Sequence, residues 1–326
     1  MTSQKKVFGA VGDAVKNYLS VHAIPLCVLV LMIIVASILS PAFFSMLNLR
    51  NILIQQTTIM ICSLGMFAVI LTGGIDLSVG SLLALAGVLC ADFANKMPLG
   101  LAILLTILAC ALIGALNGAV VAKLRIAPFI VTLGMMSIAR GIAYWYSKSA
   151  PISWVSGPSA PVLTAVGSGR LLGVPYQTVA WIIMIAITAV LIRKSIAGRI
   201  IYAIGGNEEA VTISGINVKN WKIIPYVFSG VCCAVAGMLL MARLSVGSPI
   251  SGNGLETDCI AAVVIGGTSF AGGKGTVSGV VIGVFILGII NNILDLMNVS
   301  AYPQLMLKGA IIILAVILST IRDKNA

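Results

Sequence analysis

Charge is scarce in this chain. Of 326 residues only nine are acidic and 20 basic, and His22 is the single histidine. A mean hydropathy of +1.12 leaves too little polar surface for a soluble globule. One histidine excludes a Ser-His-Asp triad, a histidine-based metal site and a histidine proton relay, and HExxH and GxSxG motifs are absent too. No close pair of carboxylates lies within an apolar stretch. The seven cysteines, Cys27, Cys62, Cys90, Cys110, Cys232, Cys233 and Cys259, show no CxxC or Cys/His spacing and all fall in apolar stretches. They read as small packing residues, not as a disulfide framework or metal ligands. Residues 266–275 approach a phosphate cradle but miss it, because the first Walker A glycine position holds Thr268 and Gly275 follows Lys274 where Ser or Thr is required. The sequence therefore offers no catalytic residue, metal site, cofactor or nucleotide site of its own.

What the chain has in abundance is long apolar runs, 60% of it being hydrophobic. Charge-free stretches recur at about the 20 residues that a helix needs to cross a bilayer. Candidate spans cover residues 23–39, 52–71, 77–94, 99–121, 129–146, 176–192, 223–241, 258–265, 277–294 and 304–319. Runs such as 179–192 and 310–318 are apolar on nearly every face, which excludes the alternation of a membrane barrel. The expected fold is all-α: a polytopic transmembrane bundle of about ten helices in a single domain over residues 23–320. The stretch 258–265 is too short to cross alone, so it continues upstream, tilts or breaks inside the bilayer.

The net charge of +11 comes as small basic clusters beside apolar runs, without interleaved aromatics, so it marks topology and not nucleic-acid binding. With the amino end cytoplasmic, the inner side collects thirteen basic residues, from Lys5 to Lys324. Only Arg50, Lys96, Lys148, Arg170, Arg243 and Lys308 are left at or beyond the outer edge. Both termini, residues 1–22 and 321–326, and a charged island at 193–222 are thus expected inside. The first apolar run lacks a small-residue cleavage site and reads as a retained helix. Residues 147–175, rich in Pro, Gly and Ser, read as an ordered outward loop.

Residues 68–80 (AVILTGGIDLSVG) are echoed by 262–275 (AVVIGGTSFAGGKG), and GALNG at 114–118 by GIINN at 288–292. Two readings stand: a parallel internal repeat, or the general use of small residues where membrane helices pack. Gly73, Gly74, Asp76, Ser78 and Ser81 interrupt an apolar stretch, and Gly266, Gly267 and Thr268 do the same in the echo. Backbone and carboxylate exposed to lipid there would cost several kcal/mol. The first break is either a turn beside a pathway or a capped helix start with Asp76 as its acid. Arg140 lies deep in its span and needs a carbonyl or an acid, with Asp76, Asp92 and Asp295 the acids near spans; a fixed structural pair and a substrate or gating role both stand. Asn117, Asn291 and Asn292 either match substrate hydroxyls or join helices.

In the island, Asn207 reads as the N-cap of a short helix with Glu208 and Glu209 in its first turn, followed by a turn at Ser214 and Gly215. Such a helix, parallel to the membrane, suits a groove in another protein. Here the sequence resembles the permease subunits of bacterial ABC importers, in particular the ribose permease family of monosaccharide transporters. Three blocks in order carry the resemblance: GGIDLSVGSLLALAG at 73–87, GGNEEAVTISGINV at 205–218 and AAVVIGGTSFAGGKGTVSG at 261–279. Against the general importer pattern Glu209, Ala210 and Gly215 fit, Val211 replaces an alanine, and Pro225 arrives about three residues early.

The resemblance implies a permease, not an enzyme, in the bacterial inner membrane, pairing with a second subunit as a homodimer. It further implies a cytoplasmic ATPase gripping Gly205, Gly206, Asn207, Glu208, Glu209, Ala210, Ser214, Gly215 and Asn217, and a periplasmic sugar-binding protein. Gly73, Gly74, Asp76, Ser78, Ser81, Asn117, Arg140, Gly266, Gly267, Thr268, Asn291 and Asn292 are the candidate pathway or gate residues. Import of another solute, such as a branched-chain amino acid or an autoinducer, and ion-coupled carriage are the alternatives.

Overall fold

The computed structural model describes residues 23–155 and 157–324. The expected cytoplasmic segment 1–22 and the last two residues of the expected tail lie outside the described residues. Long apolar runs give α1 (Ala23–Leu39), α2 (Met46–Ile70), α3 (Val79–Lys96), α4 (Leu99–Leu124) and α5 (Pro128–Tyr146). A connecting segment follows with β1 (Ile152–Ser153), α6 (Ala160–Ser168), β2 (Arg170–Leu171) and β3 (Val174–Pro175), then α7 (Tyr176–Lys194). The charged island folds as α8 (Ile196–Gly206), α9 (Glu208–Ile213) and α10 (Val218–Trp221). Beyond it lie α11 (Ile223–Leu244), β4 (Val246–Gly247), α12 (Leu255–Ile265), α13 (Val277–Leu296) and α14 (Ala301–Lys324).

Each expected apolar span coincides with a helix. Among the described residues, six are long and apolar enough to cross a membrane: α2, α3, α4, α7, the stretch Val218–Leu244 and α13. α5 is of similar length but carries Arg140 in its interior. α12 extends its expected span upstream only to Leu255. At 11 residues it rises about 16 Å, roughly half a hydrocarbon core.

α11 is the axis of the bundle, packed by α2, α3 and α4 through glycines. A Cβ on Gly65 would lie 2.8 Å from Ser229 Cα, one on Gly114 2.3 Å from the Tyr226 carbonyl, and one on Gly230 2.3 Å from the Cys110 carbonyl. With no hydrophobic force between helices in lipid, such close backbone approach supplies the packing energy. Cys62, Cys233 and Cys259, from α2, α11 and α12, meet in this core as free thiols. In the connection between α5 and α7, β1 pairs antiparallel with β4, and the Trp154 indole N–H donates to the Met241 carbonyl at 3.1 Å.

The order of these contacts fixes relative depth. Gly237 packs on Leu83, and Met241 on Gly87, so α3 runs parallel to α11. By the same register the first turn of α3 stands beside the middle of α11, not its start. Residues 71–78 therefore leave the end of α2 and run back into the bundle before α3 begins. From the other end, the segment after β4 descends along α3 from Gly247, beside Gly87, to Gly252, beside Gly80. Lys308 lies two turns into α14 and pairs with Asp258 of α12 at 3.1 Å.

Candidate functional site

The island is built from local signals. Ser195 caps α8 by accepting from Gly198 N–H at 3.0 Å, and Asn207 caps α9 by accepting from Ala210 N–H at 2.9 Å. Glu208 and Glu209 sit in the first turn of α9, where the helix dipole favours them. Gly215 turns the chain at φ +83°, a conformation that side chains avoid. Ile204, Val211 and Val218 form a small core that holds α8, α9 and α10 together. Lys222 bridges back to Glu208. Glu209, Ala210, Ser214, Gly215 and Asn217 remain exposed, and Ile213 is 81% exposed. An acid and a large apolar side chain on one open helix form a surface that a second protein can cover.

This platform rests directly on both glycine breaks. A Cβ on Gly205 would lie 1.8 Å from the Leu71 carbonyl and 2.3 Å from Gly273 N. Gly273 N–H donates to the Leu71 carbonyl at 3.0 Å, and Tyr202 on α8 donates its hydroxyl proton to the Gly275 carbonyl at 2.7 Å. Gly73 and Gly272 meet here as well. The end of α2, the end of α8 and the loop before α13 thus share one contact. A cleft of about 800 Å³ opens beside it, lined by Gly74, Arg125, Glu208, Asn217, Lys219 and Tyr226.

Further in, the Asp76 carboxylate is fully buried, so its charge depends on hydrogen bonds. It accepts from Ser78 N–H at 3.0 Å, from Ser78 Oγ at 2.5 Å and from Ser229 Oγ of α11 at 2.8 Å. Asn117 of α4 donates to Ser78 Oγ at 3.0 Å, and Thr132 of α5 reaches the Ile75 carbonyl at 3.2 Å. The broken segment is therefore clamped by three helices. Asp76 satisfies its own loop and α11, and α3 starts at Val79 with Ser78 in the cap position, two residues later than Leu77. Ser81 and Tyr226 hydroxyls stay buried without a hydrogen bond among the described residues, as does the hydroxyl of Thr268, which follows the Gly266–Gly267 turn.

The other candidates lie apart. Asn292 forms a reciprocal amide pair with Asn48 of α2, at 2.8 and 3.0 Å, joining α13 to α2, and Asn291 is half-buried beside it. Arg140 donates to the carbonyls of Pro249 and Ser251 at 2.6 and 2.7 Å. None of the three expected acids serves it: Asp92 is held by Lys96 and Tyr146, Asp295 by Gln304, and Asp76 by its serines. Sequence reasoning missed Ser229, Tyr226, Asn48, Gly272 and Gly273. For Tyr226 and Ser229 a signal existed, two hydroxyls three residues apart on one face of an otherwise apolar helix.

The chain was compared with known proteins. A family model described as branched-chain amino acid transport system / permease component matches residues 48–316. The ribose import permease protein RbsC of Escherichia coli (strain K12) is 46% identical over 295 residues, 90% of this chain and 91% of the relative. That of Bacillus subtilis (strain 168) is 41% identical over 93% of each chain. The galactose/methyl galactoside import permease protein MglC of Escherichia coli (strain K12) is 41% identical over 90% of this chain and 93% of the relative. No solved structure matches the chain significantly.

Proposed function

This chain belongs to the family of branched-chain amino acid transport system permease components, and from that premise we propose that it is the membrane permease of an ATP-driven monosaccharide importer, with ribose the foremost substrate. The family description covers amino-acid permeases, but relatives for ribose and galactose, alike over nine-tenths of the chain, point to sugar. The protein sits in the bacterial inner membrane with about ten crossings, both termini and α8–α10 facing the cytoplasm. It works as a homodimer with a separate ATPase on the α9 surface and a periplasmic binding protein over residues 147–175.

The observation that carries the coupling is the seating of Gly205 on Leu71 and Gly273. A pull on α9 reaches α8, and through it both broken segments, with no flexible linker between. Closure of an ATPase dimer below would shift the loop that holds Asp76, Ser78 and Asn117, so the buried knot acts as a detent that sets two arrangements of the gate. Gly73, Gly74 and Gly266–Thr268 are the hinge of that movement, and Ser81 and Asn291 face its interior.

In cells carrying the permease with its ATPase and binding protein, ribose uptake should survive a proton and sodium ionophore and stop on ATP depletion. Uptake that persists without ATP overturns the reading in favour of an ion-coupled carrier.

A further inference from the structure

Resting on the importer reading, we propose that the turn and first residues of α12 at 251–257, backed by Arg140, are the sugar-facing wall of the passage at mid-depth. Gly252 touches Gly80 in the first turn of α3, which stands beside the middle of α11. α11 has 22 residues and rises about 33 Å, close to the thickness of a hydrocarbon core. At that level, Asn253, Gly254 and Thr257 are exposed on the subunit. Asn253 offers its amide to no partner among the described residues, and its neighbours 249–254 are irregular backbone. Irregular backbone and an open amide facing acyl chains would each cost several kcal/mol; such a turn survives at this depth only where it lines a watered cavity or is covered by protein.

The backing is rigid and polar. Arg140 fixes the turn through two carbonyls, and the Glu256 carboxylate lies over the N-terminal turn of α3, where a Cβ on Gly80 would stand 2.7 Å from its Oε2. The N-terminus of α3 favours a negative group at that place. The outcome is a surface with an amide, a hydroxyl and a carboxylate, acceptors and donors in the mixture that sugar hydroxyls match. Held by few groups, a monosaccharide leaves as readily as it enters.

The test uses the assembled transporter in proteoliposomes, with Cys27, the one exposed thiol among the described cysteines, replaced by serine. Asn253→Cys and Thr257→Cys are each exposed to a charged, water-soluble methanethiosulfonate reagent, with Ile187→Cys on the open face of α7 as the lipid-facing control. Both turn cysteines should react at least tenfold faster than the control, and sugar-loaded binding protein with ATP should change their rates at least threefold. Rates equal to the control, or disulfide formation between subunits in place of labelling, overturn the proposal. ATP-driven ribose uptake by the unsubstituted transporter in the same vesicles separates the two failures: uptake with inert cysteines removes only this wall, whereas no uptake removes the importer reading and this inference with it.

Discussion

At the scale of single residues, Asp76 is the most constrained group in the molecule. Among the described residues its carboxylate meets no cation, and its hydrogen bonds come from Ser78 and Ser229. Asp76→Ala should destabilise the purified permease by about 1–3 kcal/mol, because three buried donors lose their acceptor. Asp76→Asn, which keeps one acceptor oxygen, should cost less, and thermal unfolding in detergent ranks the two; equal Tm values for both variants and wild type would remove the clamp from the account. Glu209 is the opposite case, exposed and without an ion pair among the described residues. Glu209→Lys should leave insertion and Tm unchanged while ATPase co-purification and uptake fall at least tenfold. Of these residues, Asp76 was legible as an interruption in apolar sequence. Its environment was not, because Ser229 and Asn117, which decide it, lie far away along the chain.

At the scale of elements, the helices could be read from hydropathy because lipid demands about 20 apolar residues of each crossing. What hydropathy does not encode is register between neighbours. That Gly205 meets Leu71 and Gly273 depends on how α8 lies against two loops, and no local pattern states it. Gly205→Ala, with no room for a methyl group, should push α8 off both loops and cut uptake at least tenfold with the protein still inserted. Normal uptake by that variant would show that the contact transmits nothing. The Asn48–Asn292 pair offers an energetic check on α2 and α13. Asn48→Leu leaves the buried Asn292 amide without its partner, at about 1–2 kcal/mol, whereas Asn292→Leu should cost less because the Asn48 amide still donates to the Phe43 carbonyl, and a thermal-unfolding cycle with the double variant measures the coupling.

At the scale of the whole molecule, the two ends differ in kind. One carries the connection fastened by Trp154 and the β1–β4 pair; the other carries the charged platform. An impermeant maleimide should label Glu209→Cys only from the cytoplasmic side of sealed vesicles, and labelling from outside would invert the assigned topology. The sidedness of the basic residues had already suggested this polarity.

The bond between Asp76 and Ser229 spans 153 residues, and it has a consequence for biogenesis. A ribosome finishes residues 71–78 long before it makes α11, so the nascent chain must wait in the translocon's neighbourhood with a polar carboxyl group that no later helix has yet enclosed. Fragments stopped before residue 223 should therefore remain unsettled in the bilayer and be cleared by membrane proteases, while co-expression of the missing carboxyl-terminal part should rescue them.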